Sequence, residues 1–368
     1  MDHPAKGRLL EHARLSSTLP PPSAEAQLAF LAKLQRLFAE GDFTATYKFA
    51  LLISLADLAV EVGADDGAEL TVTNRQIAER FVQLYWRQAS PYGAGRPGTQ
   101  PGVLVQNVGV QAAVLTAIGE FRASSAASTV QQARTHPGFA ALLAKVATVV
   151  SAQPLNYLQN FGGVMDPFLY ARSARGGITL LHGVGYCLRR FYTLVQQMSR
   201  TRWVEHIKAN RRNHAILGDA GDLEDFLFSL SRQSLAILGA QLRKLDGSRC
   251  FYCGYGLTDA DVDHFVPFSL YPRDHAHNLV LAHPTCNRSK SDALAAKSHL
   301  ERWLERIVTR ADDLAEIGAL AGVASDRITA HRVAAWGYTG ANAAGARAWL
   351  SASNYEPVSP DYLSLLVI

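Results

Sequence analysis

Three of the four cysteines and five of the twelve histidines of this 368-residue chain fall between Cys250 and His299. They form two pairs at one spacing, Cys250-x-x-Cys253 and His283-x-x-Cys286. Each pair can grip one ion from a tight turn, and four N/S donors with no open position describe a structural, tetrahedral zinc site. A lone C-x-x-C could be a redox pair, but thiol exchange requires no matching pair downstream. Whatever fold the segment takes must bring these two stretches together.

Length and composition bound the rest. At roughly 150 residues per domain the chain should hold two or three domains. Hydrophobic residues are 48% and charged residues 18%, an ordinary globular balance that excludes wholesale disorder. The 36 Lys+Arg against 32 Asp+Glu exclude a polycationic coat and leave room only for a local basic groove. Four cysteines are too few for a disulfide scaffold. The segment 1–8 has no apolar secretory core. The longest apolar runs, 49–62 with Asp57 and Glu61 inside it and 139–152 with Lys145, are shorter than the roughly 20 residues that span a bilayer. A cytoplasmic protein with no membrane partner is expected.

Residues 1–22 read as a leader ending at Pro20-Pro21-Pro22. Ser23 can cap a helix running to Glu40 and closed by Gly41. A second helix is expected over 44–62, with Tyr47, Leu51, Leu55, Leu58 and Val62 on one stripe. A short strand at 70–72 precedes a capping box, Thr73 with Gln76, that opens a helix carrying Ile77, Phe81, Leu84 and Tyr85. Helix, strand, helix is compatible with a winged-helix-like DNA reader and equally with any small helical domain. Gly93, Gly95 and Gly98 spell G-x-G-x-x-G, but they follow a helical pattern and contain Pro97, so a dinucleotide cradle is rejected. Helices are expected at 107–122 and 137–152, and a long one from Ile178 towards Arg212. In the long one Val184, Leu188, Phe191, Val195 and Met198 form a core-facing seam too short for a coiled coil. Its basic end, Arg200, Arg202, Lys208, Arg211 and Arg212, either binds phosphates or complements the helix dipole. Cys187 reads as a small buried hydrophobe.

Between the two zinc pairs lie residues that a zinc knuckle does not need: Asp263-His264, Asn278 and Asn287. Neighbours on a strand point to opposite faces, so the backbone at Asp263-His264 must bend for both side chains to converge. A carboxylate and an amide carbonyl are hard oxygen ligands suited to Mg²⁺ or Mn²⁺, and a neutral histidine can take a proton from water. Phosphodiester hydrolysis needs that combination.

The segment 250–294 resembles the HNH endonuclease family and its ββα-metal fold. The resemblance implies that His264 is the general base and Asp263 a ligand of a catalytic Mg²⁺ or Mn²⁺. It further implies that Asn278 holds the His264-bearing loop and that Asn287 is the second ligand of the catalytic ion. Cys250, Cys253, His283 and Cys286 would carry the structural Zn²⁺. Two departures are visible: His283 stands where many zinc-bearing members have cysteine, and the last motif position is asparagine, which excludes a purely histidine-based metal site. Asn278 could instead end a turn, and Asn287 can also cap the helix starting near Cys286. Lys290, one turn further on, is placed to touch a scissile phosphate or simply faces solvent. His275 and His277 fall in the inter-strand loop as candidate substrate contacts. His299, Trp303 and Leu304 are expected to pack.

The expected architecture is mainly α: a large helical N-terminal domain over 23–240, a small HNH module over 241–310 and a helical extension over 311–368. Helices are expected at 293–310, 312–322 and 341–352, followed by an apolar tail at 362–368 that either docks back or binds a partner. The implied activity is metal-dependent hydrolysis of nucleic acid, DNA first, with restriction or anti-phage defence as an analogy. The helical domain would select targets or dock a protein partner. A non-catalytic zinc module that binds nucleic acid or protein is the alternative, and an RNA-cleaving toxin the second.

Overall fold

The chain is described here from a computed structural model covering residues 19–93, 101–174, 176–218 and 222–367. Most of the expected leader, and Gly95 and Gly98 of the glycine loop, lie outside the described residues. The fold is mainly α, with four small antiparallel sheets. At the centre of the N-terminal domain stands helix Tyr47–Val62, in which every residue from Tyr47 to Glu61 is buried. A helix apolar on all sides has to be wrapped, not laid on a surface. Helices Asn74–Trp86, Val184–Arg190, Tyr192–Ala209 and Arg327–Ala343 pack around it. Ser23 and the Thr73–Gln76 capping box start helices Ala24–Glu40 and Asn74–Trp86.

The long helix expected from Ile178 is two helices and a strand. Gly177–Leu180 is the middle strand of a sheet ordered 70–73, 177–180, 170–172, with Ile178 opposite Val72 and Leu180 opposite Leu70. Ile178 and Leu180 are buried and alternate at period 2, a strand signal submerged in an apolar run. Gly177 takes φ +134°, and a Cβ there would lie 2.3 Å from the Val72 carbonyl oxygen, so this strand edge tolerates only glycine. Helix begins only after Gly183 and breaks again at Phe191. Strands 170–172 and 177–180 of this sheet form a hairpin, with Tyr170 opposite Leu180. The outward face of the helix next to it, Phe139–Ala152, offers Ala140, Ala141, Ala144, Thr148 and one cation, Lys145, already paired with Glu120 at 2.7 Å. Helical residues 139–157 are apolar and long enough to cross a membrane by composition, but Leu142, Leu143, Val146 and Val150 are buried in this domain.

The module is β-β-α. Strands Asp261–His264 and Leu279–Ala282 pair antiparallel, with His264 opposite Leu279, and helix Pro284–Lys290 follows. Helix Arg232–Asp246 packs on both strands and on helix Ala311–Ala321. Arg306 forks onto Asp246 at 2.9 and 2.7 Å and locks that helix to Lys297–Thr309. The latter starts four residues later than expected because Leu294 and Ala296 hydrogen-bond to Trp349 in an extended stretch. Of the expected helix at 341–352, only residues 341–343 are helical, as the end of a longer helix. Helix Arg327–Ala343 stops before Gly345 (φ +61°), and Arg347–Ser351 pairs with Asn354–Pro357. The tail docks: Tyr362 stacks on Tyr338 at 5.5 Å and Leu366 is buried.

Trp303 is buried, stacks on Phe265 at 4.7 Å and donates from Nε1 to the His277 carbonyl at 3.0 Å. Trp303→Ala should therefore destabilise the module by about 3–5 kcal/mol, read from its urea-unfolding midpoint with intrinsic fluorescence at Trp349 as the local probe. An unchanged midpoint would contradict this packing.

Candidate functional site

The two pairs that dominate the sequence come together. Ligand atoms of Cys250, Cys253, His283 and Cys286 all lie within 4.8 Å of one another. His283 presents Nδ1 to the cluster, 3.3 Å from Cys253 Sγ, while Nε2 sits 3.0 Å from the Gly256 carbonyl. That carbonyl can only accept, which puts the proton on Nε2 and leaves Nδ1 as the donor atom for a metal. Burial opposes ionisation of Cys250, yet backbone N–H groups of Cys253, His283 and Tyr252 outweigh it and bring the thiol down to about 7. Burial first, and then the neighbouring Cys250 and Cys253 sulfurs, push Cys286 up to about 12. The donor set fits a structural metal such as zinc.

Strand Asp261–His264 places Asp263 at a buried position and bends after His264. Asp263 Oδ2 accepts from the Tyr252 hydroxyl at 2.5 Å and meets Lys290 Nζ at 3.1 Å. Lys290 also donates to the His264 carbonyl at 2.9 Å. Burial pulls the Lys290 ammonium down, and Asp263 works against it. Asn278 brackets the bend: its Oδ1 accepts from Val266 N at 2.8 Å and its Nδ2 donates to Val266 O at 2.9 Å. Asn287 Nδ2 donates to Asp261 Oδ2 at 3.1 Å, which leaves its carbonyl oxygen for another partner. A cavity of about 270 Å³ is lined by Asp263, His264 and Asn287, with Phe268, Arg288 and Asp292 among the others at its wall. Asp263 and His264 are both still in strand geometry, and the chain bends only at residues 265–266.

Three expected substrate contacts are corrected by burial. Lys290 is wholly enclosed and spent on Asp263, so it reaches neither a phosphate nor solvent. His277 is buried, with Nδ1 3.2 Å from Ser325 Oγ. His275 is buried, and neither ring nitrogen finds a hydrogen-bond partner among the described residues. In the basic run at 200–212, Arg200 is buried and Arg202 pairs with Glu205, while Lys208, Arg211 and Arg212 are exposed. Sequence reasoning missed Tyr252, Asp261 and Asp274, whose Oδ1 lies 2.7 Å from His264 Nε2. Tyr252 was findable as the buried aromatic inside the knuckle and Asp261 as the same-face neighbour of Asp263. Nothing local marks Asp274.

Residues 27–227, more than half of the chain, match the sequence family described as a domain of unknown function (DUF8808). The chain belongs to this family. Residues 250–296 match the HNH endonuclease family, the segment that carries the site. The helix Arg232–Asp246 lies between the two matches. No curated protein and no solved structure matches the chain.

Cys253→Ser should lower bound zinc well below one per chain and loosen the module while the 27–227 domain stays folded; full zinc stoichiometry in the variant would contradict the donor set. Acid sensitivity follows from the buried histidines. Burial holds His275 well below its ordinary 6.5, and burial lowers His277 and His299 too, so the folded state keeps them neutral. The unfolded chain binds these protons first, so stability is full above pH 6.5 and declines as pH falls below it. His275→Leu should flatten the decline in urea midpoint from pH 7.5 down to roughly pH 5.5; an unchanged slope would contradict it.

Proposed function

We propose that this chain hydrolyses phosphodiester bonds of nucleic acid, with DNA as the substrate. The observation that supports the reading is one cavity lined by Asp263 and His264 of strand Asp261–His264 and by Asn287 of helix Pro284–Lys290. His264 is mostly buried and backed by the Phe268 ring at 5.1 Å; Lys290 holds its carbonyl, and Asn278 holds Val266 two residues on. As general base it takes the proton of the attacking water. The Asp263 carboxylate is aimed by Tyr252 and Lys290, and the Asn287 amide by Asp261. These two oxygen donors suit a hard divalent ion, Mg²⁺ or Mn²⁺. Such an ion supplies charge against the phosphate and the leaving oxygen.

Zinc at Cys250, Cys253, His283 and Cys286 plays a structural part, since all four positions are taken by protein donors. The knuckle reaches the site through Tyr252, whose hydroxyl holds Asp263. Three thiols gathered as metal donors and Cys187 left as a buried thiol suit a reducing compartment such as the cytoplasm. Restriction or anti-phage defence is the role by which such a nuclease would serve a bacterial cell, an analogy drawn from the module alone.

The test is cleavage of plasmid DNA, single strands and RNA with Mg²⁺ or Mn²⁺. His264→Ala should lower the rate by about 10²- to 10⁴-fold while zinc content and fold are kept. Preferential RNA cleavage would replace DNA as substrate. No cleavage of any of them, with equal nucleic-acid binding by the variant, would leave a non-catalytic zinc module.

A further inference from the structure

The loop between the two module strands is anchored on the other domain, residue after residue, up to the one that touches His264. Tyr271 donates from its hydroxyl to Glu61 Oε1 at 2.5 Å, and its ring stacks on Tyr192 at 5.7 Å. The Pro272 carbonyl accepts from Arg200 Nη2 at 2.8 Å. Arg273 pairs with Glu61, lies 3.4 Å from Asp57 Oδ2 and donates to Gln83 Oε1 at 2.6 Å. Asp57 in turn accepts from Tyr192 and Gln196, both at 2.8 Å. All these partners belong to helices 47–62, 74–86 and 192–209 of the 27–227 domain. With three consecutive residues held, the next has little freedom, and that residue is Asp274.

Asp274 Oδ1 lies 2.7 Å from His264 Nε2, both side chains mostly buried. A carboxylate can only accept, so Nε2 carries the proton and the lone pair is left on Nδ1. Without that contact a neutral imidazole divides between two tautomers and turns about its side-chain bonds. The contact therefore decides which nitrogen can receive a proton.

We propose that Asp274 is a positioning residue for His264, and that the 27–227 domain controls the nuclease centre by holding Tyr271, Pro272 and Arg273 through Glu61, Asp57, Gln83 and Arg200. This rests on the reading of His264 as general base. The module is then complete only when docked, and anything that moves the helical domain off Arg273 releases Asp274 and disarms the histidine. Such coupling suits a nuclease that stays inactive until its larger domain is correctly seated.

Kinetics and nitrogen NMR together decide it, in the full chain with zinc bound and with His264→Ala as the activity control. Asp274→Asn should lower kcat by on the order of 100-fold or more, as when the carboxylate fixing a catalytic imidazole becomes an amide. KM and zinc content should hold, and Asp274→Glu should recover part of the rate. Arg273→Gln should also lower kcat, and adding it to Asp274→Asn should cost little more, because the two act as one unit. If Arg273→Gln does not fold, Gln83→Leu probes the same anchor more gently. Wild-type or faster cleavage by Asp274→Asn overturns the proposal, the faster rate showing that the contact blocks the histidine. Fully multiplicative effects of the two substitutions remove the role of the helical domain.

Histidine ¹⁵N spectra judge the same claim without cleavage. His264 should show the Nε2–H form in the wild type and a mixture in Asp274→Ala and in Arg273→Gln. Unchanged tautomers in both variants overturn the proposal. Absence of cleavage by the wild type with the expected spectra would instead count against the hydrolytic reading alone.

Discussion

Two carboxylates, Asp57 and Glu61, sit one turn apart on a helix buried on every side. Burying an ionised carboxylate costs several kcal/mol unless a cation and hydrogen bonds meet it, and deleting one partner of such a group costs about 3–5 kcal/mol. Arg80 and Arg273 meet these two, and Tyr192, Gln196 and Tyr271 complete the hydrogen bonding. One of the two arginines comes from within the helical domain and the other from the nuclease module. Arg273 thus ties the module to the buried charges at the centre of the helical domain. Arg332 adds a bond from the C-terminal helix to the Glu61 carbonyl, and Trp336 one to the Arg189 carbonyl, so the extension seals the same junction.

At the opposite side of the module the sulfur cluster does a different task. Its knuckle contains Tyr252, which bridges from the metal-type donors to Asp263 and packs edge-on against His299 and Trp349. Lys290, from the helix that follows His283, closes on Asp263 from the other direction. The acid is therefore fixed by the zinc side and the histidine by the docked side. The cavity lies where the two supports meet.

The local parts of this were legible. Spacing alone brings Cys250, Cys253, His283 and Cys286 into one set, because a shared ion demands it. Ser23 and the Thr73–Gln76 box mark helix starts through bonds within a few residues. Strand 177–180 was not legible, since Ile178 and Leu180 continue an apolar pattern that suits a helix equally well. The direction of Lys290 was hidden for a related reason: a lysine on a short helix reads as exposed unless its acidic partner, 27 residues earlier, is known to face it. The central charge network had a visible trace, Asp57 and Glu61 at i, i+4 in an otherwise apolar helix, but Arg273 is separated from Glu61 by 212 residues. Asp274 shares that fate. Its meaning depends on a loop whose shape is set by another domain.

The central claim is that one chain holds two chemically distinct metal sites, soft donors for structure and hard oxygen donors beside His264. Anomalous diffraction from crystals grown with zinc and soaked in Mn²⁺ tests it directly. A zinc peak is expected among Cys250, Cys253, His283 and Cys286, and a separate manganese peak between Asp263 and Asn287. Manganese absent from that second position, or bound only by displacing zinc from the first, would contradict it.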